Sequence, residues 1–135
     1  ESTMSKKISI IRYSIFSLLI ATCLLFSSLT TASALTWQNR TVSAGKYKHF
    51  VDTNSDDFYR DITVNVSHSI KFSSNAPSTV SAGYYANKKY NKKFSGNGTK
   101  NMSASYNVPK KTYFKLYIYN GSSDKMTVSK MTVTF

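Results

Sequence analysis

A chain of 135 residues favours a single domain. Its 18 Lys and Arg against 6 Asp and Glu give a formal charge of +12, which points to an anionic partner or surface. The single cysteine, Cys23, excludes a disulfide framework and a multi-thiolate metal site.

Residues 1–3 precede Met4 and read as a vector-derived addition. Residues 4–34 are predicted to be a helical secretory signal peptide. Lys6, Lys7 and Arg12 form its positive start, and residues 15–29 form an uncharged, mostly apolar run. Ala32-Ser33-Ala34 then supplies the small residues that a signal peptidase needs, so cleavage is expected after Ala34. The apolar run is shorter than the roughly 20 residues that span a bilayer, which favours export over a membrane anchor. Cys23 makes a poor lipoprotein box, because Leu24, Leu25 and Phe26 carry the apolar run past it. The protein is therefore expected to be secreted and extracellular.

Residues 35–135 form the expected single domain. It keeps fifteen of the eighteen Lys and Arg and five of the six acids, a net charge of +10. Without disulfides its stability must come from a packed core, and about a hundred residues suffice for one. Val, Ile, Thr, Tyr and Phe dominate, and apolar and polar residues alternate almost throughout, which is the strand pattern. Strands are predicted over residues 36–42, 46–52, 60–67, 69–73, 79–86, 89–94, 101–108, 113–120 and 125–135.

Particular strands carry further expectations. Trp37 is expected to anchor the first strand to the core. Ile62, Val64 and Val66 should point inward. In 113–120, Phe114, Leu116 and Ile118 should face the core, while Tyr113, Lys115, Tyr117 and Tyr119 face out. The inward set of the last strand changes parity between Val128 and Met131, so a β-bulge is predicted near Ser129 and Lys130. Between the strands, Asn75-Ala76-Pro77-Ser78, Ser95-Gly96-Asn97-Gly98, Pro109-Lys110-Lys111 and Asn120-Gly121-Ser122-Ser123 are turn chemistry. The whole reads as an all-β, antiparallel two-sheet sandwich of jelly-roll type, with a closed β-barrel as the alternative.

Three sets of residues are candidate sites. Lys88, Lys89, Tyr90, Lys92 and Lys93 crowd like charges that only water tolerates, so this segment should be exposed. With Lys110 and Lys111 it is the expected anion-binding surface, set against the plainer role of keeping an edge strand from pairing. Tyr113, Tyr117 and Tyr119 form an expected aromatic stripe suited to sugar rings or a membrane interface, although tyrosine is also simply a good strand residue. Asp52, Asn54, Asp56 and Asp57 are spaced like the start of a calcium loop. However, Asp57 stands where the turn glycine belongs and Thr63 where the bidentate glutamate belongs, so the expected site is a calcium site of non-EF-hand type between strands, set against an acidic turn paired with nearby Lys or Arg, and no other cofactor is expected.

His49 and His68 lack zinc-motif spacing, and no nucleophile signature accompanies them, so an enzyme is not expected. Five Asn-x-Ser/Thr sequons, starting at Asn39, Asn65, Asn97, Asn101 and Asn120, matter only where the export route glycosylates.

The stretch from Tyr106-Asn107-Val108-Pro109 through residues 113–120 to 131–135 resembles the closing strands of small jelly-roll domains of secreted bacterial proteins. Export signal plus small basic β domain is similar to the plan of some secreted bacteriocins. The expected function is non-enzymatic docking on an anionic cell envelope, antimicrobial in its sharpest form. The expected partners are anionic lipid, cell-wall polymer or acidic polysaccharide, with no specific nucleic acid. The alternatives are a carbohydrate-binding or adhesion module using the tyrosines, and a secreted inhibitor or protein-interaction domain.

Overall fold

The computed structural model describes residues 33–135. The predicted signal peptide as far as Ala32, Cys23 included, lies outside the described residues. Among those residues the fold is all-β: β1 (Ala34–Val42), β2 (Tyr47–Phe50), β3 (Val64–Ala76), β4 (Val80–Ala86), β5 (Lys89–Ser95), β6 (Thr99–Val108), β7 (Lys115–Asn120) and β8 (Met126–Thr134). They make two four-stranded antiparallel sheets, ordered β1-β8-β3-β6 and β2-β7-β4-β5.

Alternation explains the strands. In β3, Val64, Val66, His68, Ile70 and Phe72 are buried while the residues between them are exposed. In β7, Leu116 and Ile118 are fully buried beside Phe114, and in β4 Val80, Ala82, Tyr84 and Ala86 face the same way. These side chains, with Val128, Met131 and Val133 of β8, form one cluster drawn from both sheets. Each large apolar side chain so buried contributes roughly 1.5–3 kcal/mol. Trp37 packs edge-on against Phe50, 5.4 Å between ring centres, as expected of an anchor for the first strand.

The expected bulge in the last strand is present. Lys71 pairs with Lys130 but Phe72 pairs with Val128, leaving Ser129 as the extra residue. That residue lets Met126, Val128, Met131 and Val133 all reach the core. Its hydroxyl donates to the Lys71 carbonyl at 2.9 Å and pins the irregularity.

Two expectations are corrected. The strands expected at 60–67 and 69–73 are one strand, β3, because His68 takes a core position instead of interrupting the pattern. Ile62 does not point inward. It precedes β3, in the connection from β2, and is 71 % exposed. That connection is held elsewhere, by paired backbone hydrogen bonds between Phe58 and Phe114.

Candidate binding face

The outer face of the second sheet gathers aromatic side chains in rows set by strand register. Tyr47, Tyr119 and Ser81 lie across β2, β7 and β4. The next row is His49, Tyr117, Gly83 and Lys92, and the third brings Lys115, Tyr85 and Tyr90 together. In the first two rows the large rings therefore stand on β2 and β7, whereas β4 contributes the small residues Ser81 and Gly83.

That distribution has a geometric result. β2 and β5 are opposite edges of the sheet, yet Tyr47 and Tyr90 stack with ring centres 3.9 Å apart. The two side chains meet above the middle strands, over the room that Ser81 and Gly83 leave. Tyr119 stacks on the other side of Tyr47, at 4.5 Å. Tyr117 lies against both Tyr47 and Tyr90, and only 2 % of it is exposed. The Tyr90 hydroxyl is 2.8 Å from Nε2 of His49 and is fixed by that hydrogen bond.

Gly83 is required by the backbone here. A bulge falls between Ala82 and Gly83, where β4 pairs with β5, and a Cβ at Gly83 would run into the Asn91 carbonyl. The rings enclose one side of a cleft of about 510 Å³, lined by Tyr47, Ser81, Tyr90, Lys92, Tyr117 and Tyr119. That volume is in the range of small-ligand sites, which run from roughly 300 to 1,000 Å³. Tyrosine rings supply flat apolar contact and hydroxyl hydrogen bonds, Ser81 adds another hydroxyl, and Lys92 adds one cation at the wall.

Burial dominates the titration behaviour. It pushes the Tyr117 phenol up to about 12, with the neighbouring phenols of Tyr47 and Tyr90 adding to it and a hydrogen bond from Ser81 opposing it. Tyr90 is raised, again chiefly by burial. His49 is lowered by burial and by the Lys115 ammonium, so the imidazole facing Tyr90 is neutral at pH 7.

The sequence-predicted residues divide between this face and the loops. Tyr117 and Tyr119 belong to the face. The expectation that Tyr117 stands in solvent is corrected: Tyr47 and Tyr90 cover it. Tyr113 is not part of the stripe. It precedes β7, stacks on Tyr59 at 4.5 Å and is 64 % exposed. Of the lysine segment, Tyr90 and Lys92 join the face, and Lys93 holds its ammonium 5.6 Å from the centre of the Tyr84 ring. Lys88 sits in the β4–β5 turn, where it and Asn87 both have positive φ, a tight hairpin geometry. Lys89 follows it, exposed. Lys110 and Lys111 lie in the β6–β7 connection, at the same end of the sheet as that turn.

In the acidic loop, Asp52 accepts a hydrogen bond from the Thr53 amide at 2.8 Å. Asp57 pairs with Lys115 at 2.7 Å, the one salt bridge among the described residues. Asn54 and Asp56 are exposed beside them.

Tyr47 and His49 were not singled out as site residues by sequence reasoning. The available signal was their alternation along β2, which puts both on one face. Their meeting with Tyr90 depends on side-chain reach across a whole sheet. No family model matches this chain, and no curated protein matches it.

Proposed function

We propose that the protein is an exported, non-enzymatic binder of cell-envelope polysaccharide built on a jelly-roll sandwich. The strand orders β1-β8-β3-β6 and β2-β7-β4-β5 are those of eight strands wound as two Greek keys, which supports the jelly roll. Export rests on the pattern of residues 4–34. The single observation that carries the glycan reading is the tyrosine-walled cleft over Ser81, because sugar rings pack their C–H faces on aromatic rings and hydrogen-bond at their rims. The chemistry of the face favours binding over turnover: it offers phenols, one neutral imidazole and a serine hydroxyl, and Asp57 at its end is committed to Lys115. The +10 charge of residues 35–135 favours an acidic polysaccharide.

Binding isotherms with purified cell-wall polysaccharide, at low and high salt, test this reading. Tyr119→Ala is expected to weaken binding about tenfold, since one aromatic contact is worth about 1 kcal/mol or a little more. A substantial part of the affinity should survive high salt. Unchanged binding by Tyr119→Ala and by Tyr47→Ala would end the proposal.

A second reading has its own support. Lys88, Lys89, Lys92, Lys93, Lys110 and Lys111 are all exposed, and none makes a salt bridge among the described residues. Such a set favours electrostatic docking on anionic lipid or cell-wall phosphate, with an antimicrobial outcome. It differs in its salt dependence: attraction between exposed charges collapses once screening is short-ranged.

A further inference from the structure

The outer face of the first sheet differs in kind from the tyrosine face. Register places Thr134, Ser67 and Ser105 in one row across β8, β3 and β6, and Thr132, Ser69 and Ser103 in the next. These short side chains leave a shallow trough of about 490 Å³. The row beyond one end is Asn65 and Asn107, whose amides hydrogen-bond across the strands at 3.1 Å. At the other end the row is Lys130, Lys71 and Asn101.

Lys71 and Lys130 are directly opposite each other on adjacent strands, and both are exposed. Like charges in that position repel and destabilise a sheet. No acidic residue occurs anywhere in β1, β3, β6 or β8, so no strand neighbour offsets the repulsion. The bulge at Ser129 fixes the backbone of both lysines through its bond to the Lys71 carbonyl. The arrangement is a pair of exposed, unpaired ammonium groups at the end of a hydroxyl-lined trough.

We propose that this face is a second binding site, independent of the tyrosine cleft, for a phosphate-bearing polyol chain. A phosphate has acceptor oxygens enough for both ammonium groups, and its charge relieves their repulsion. The serine and threonine hydroxyls each donate and accept, which matches the hydroxyl groups of a polyol lying along the trough. Carboxylate polymers lacking hydroxyls use only the lysines and gain nothing from the trough.

The test titrates the protein with poly(glycerol phosphate), with poly-glutamate as a polyanion without hydroxyls, and with dextran as a neutral polyol. Saturable binding to poly(glycerol phosphate) is expected, with amide shifts at Ser69, Lys71 and Lys130 in the unmodified protein. The double substitution Lys71→Thr and Lys130→Thr should weaken it at least tenfold while melting no lower than the parent. Tyr119→Ala should leave it unchanged, which keeps this site's fate apart from that of the tyrosine cleft. Equal binding by poly-glutamate, equal binding by the double variant, or shifts confined to other strands would each overturn the proposal.

Discussion

His68 should make the protein acid-sensitive in a defined window. It is 1 % exposed, its Nδ1 is 2.9 Å from the Tyr106 hydroxyl, and its Nε2 has no partner among the described residues. Burial alone lowers its pKa from 6.5 to about 3. An unfolded chain therefore binds a proton between these values while the folded one does not. Stability is complete above pH 6.5 and falls as the pH drops toward 3. At about 1.4 kcal/mol per pH unit, the full effect is capped near 5 kcal/mol, with about 3 kcal/mol lost between pH 7 and pH 4.

Urea unfolding from pH 8 to pH 4 measures this, in the parent and in His68→Phe. At pH 7 the variant should be destabilised by about 1 kcal/mol, because the Tyr106 hydroxyl loses its partner. At pH 4 it should be the more stable of the two. Parallel stability curves for the two proteins would refute the assignment of acid sensitivity to this side chain.

Gly83→Ala should cost about 2 kcal/mol or more in urea unfolding, since its Cβ collides with the Asn91 backbone and forces β5 to shift. Ile62→Ser should change the unfolding free energy by less than about 0.5 kcal/mol, whereas Phe72→Ala should cost about 3–5 kcal/mol. Replacing Lys88, Lys89, Lys92 and Lys93 by Gln should remove most of the salt-sensitive part of envelope binding, measured by co-sedimentation with cell walls at two ionic strengths. It should also leave binding of a neutral wall oligosaccharide reduced only by the loss of Lys92.

Much of the fold was legible because alternation is a local signal. The register of β7, the core set of β8 and even the extra residue at Ser129 follow from parity along a single strand. His68 misled because a polar residue at an inward position looks like a strand end; its place in the core depends on Tyr106, contributed by β6. Ile62 misled because its spacing continues that of Val64 and Val66, although the backbone has not yet entered the sheet. The candidate site was half visible. Tyr117, Tyr119, Tyr90 and Lys92 stand out by composition, but nothing local says that Tyr90 crosses the sheet to meet Tyr47, or that Tyr117 ends up beneath both. That outcome is set by Ser81 and Gly83, whose meaning is the space above them. Tyr113 keeps the parity of Tyr117 and Tyr119 but precedes β7, beside the isolated Phe114 bridge, and packs against Tyr59 instead.

The most direct measurement is a titration of the protein with an envelope-derived oligosaccharide at high salt, followed by NMR of the tyrosine rings. Ring signals of Tyr47, Tyr90 and Tyr119 should shift together and saturate with a common Kd. Shifts restricted to the turn around Lys88 and to Lys110 and Lys111, vanishing as salt is raised, would contradict a sugar seat on this face.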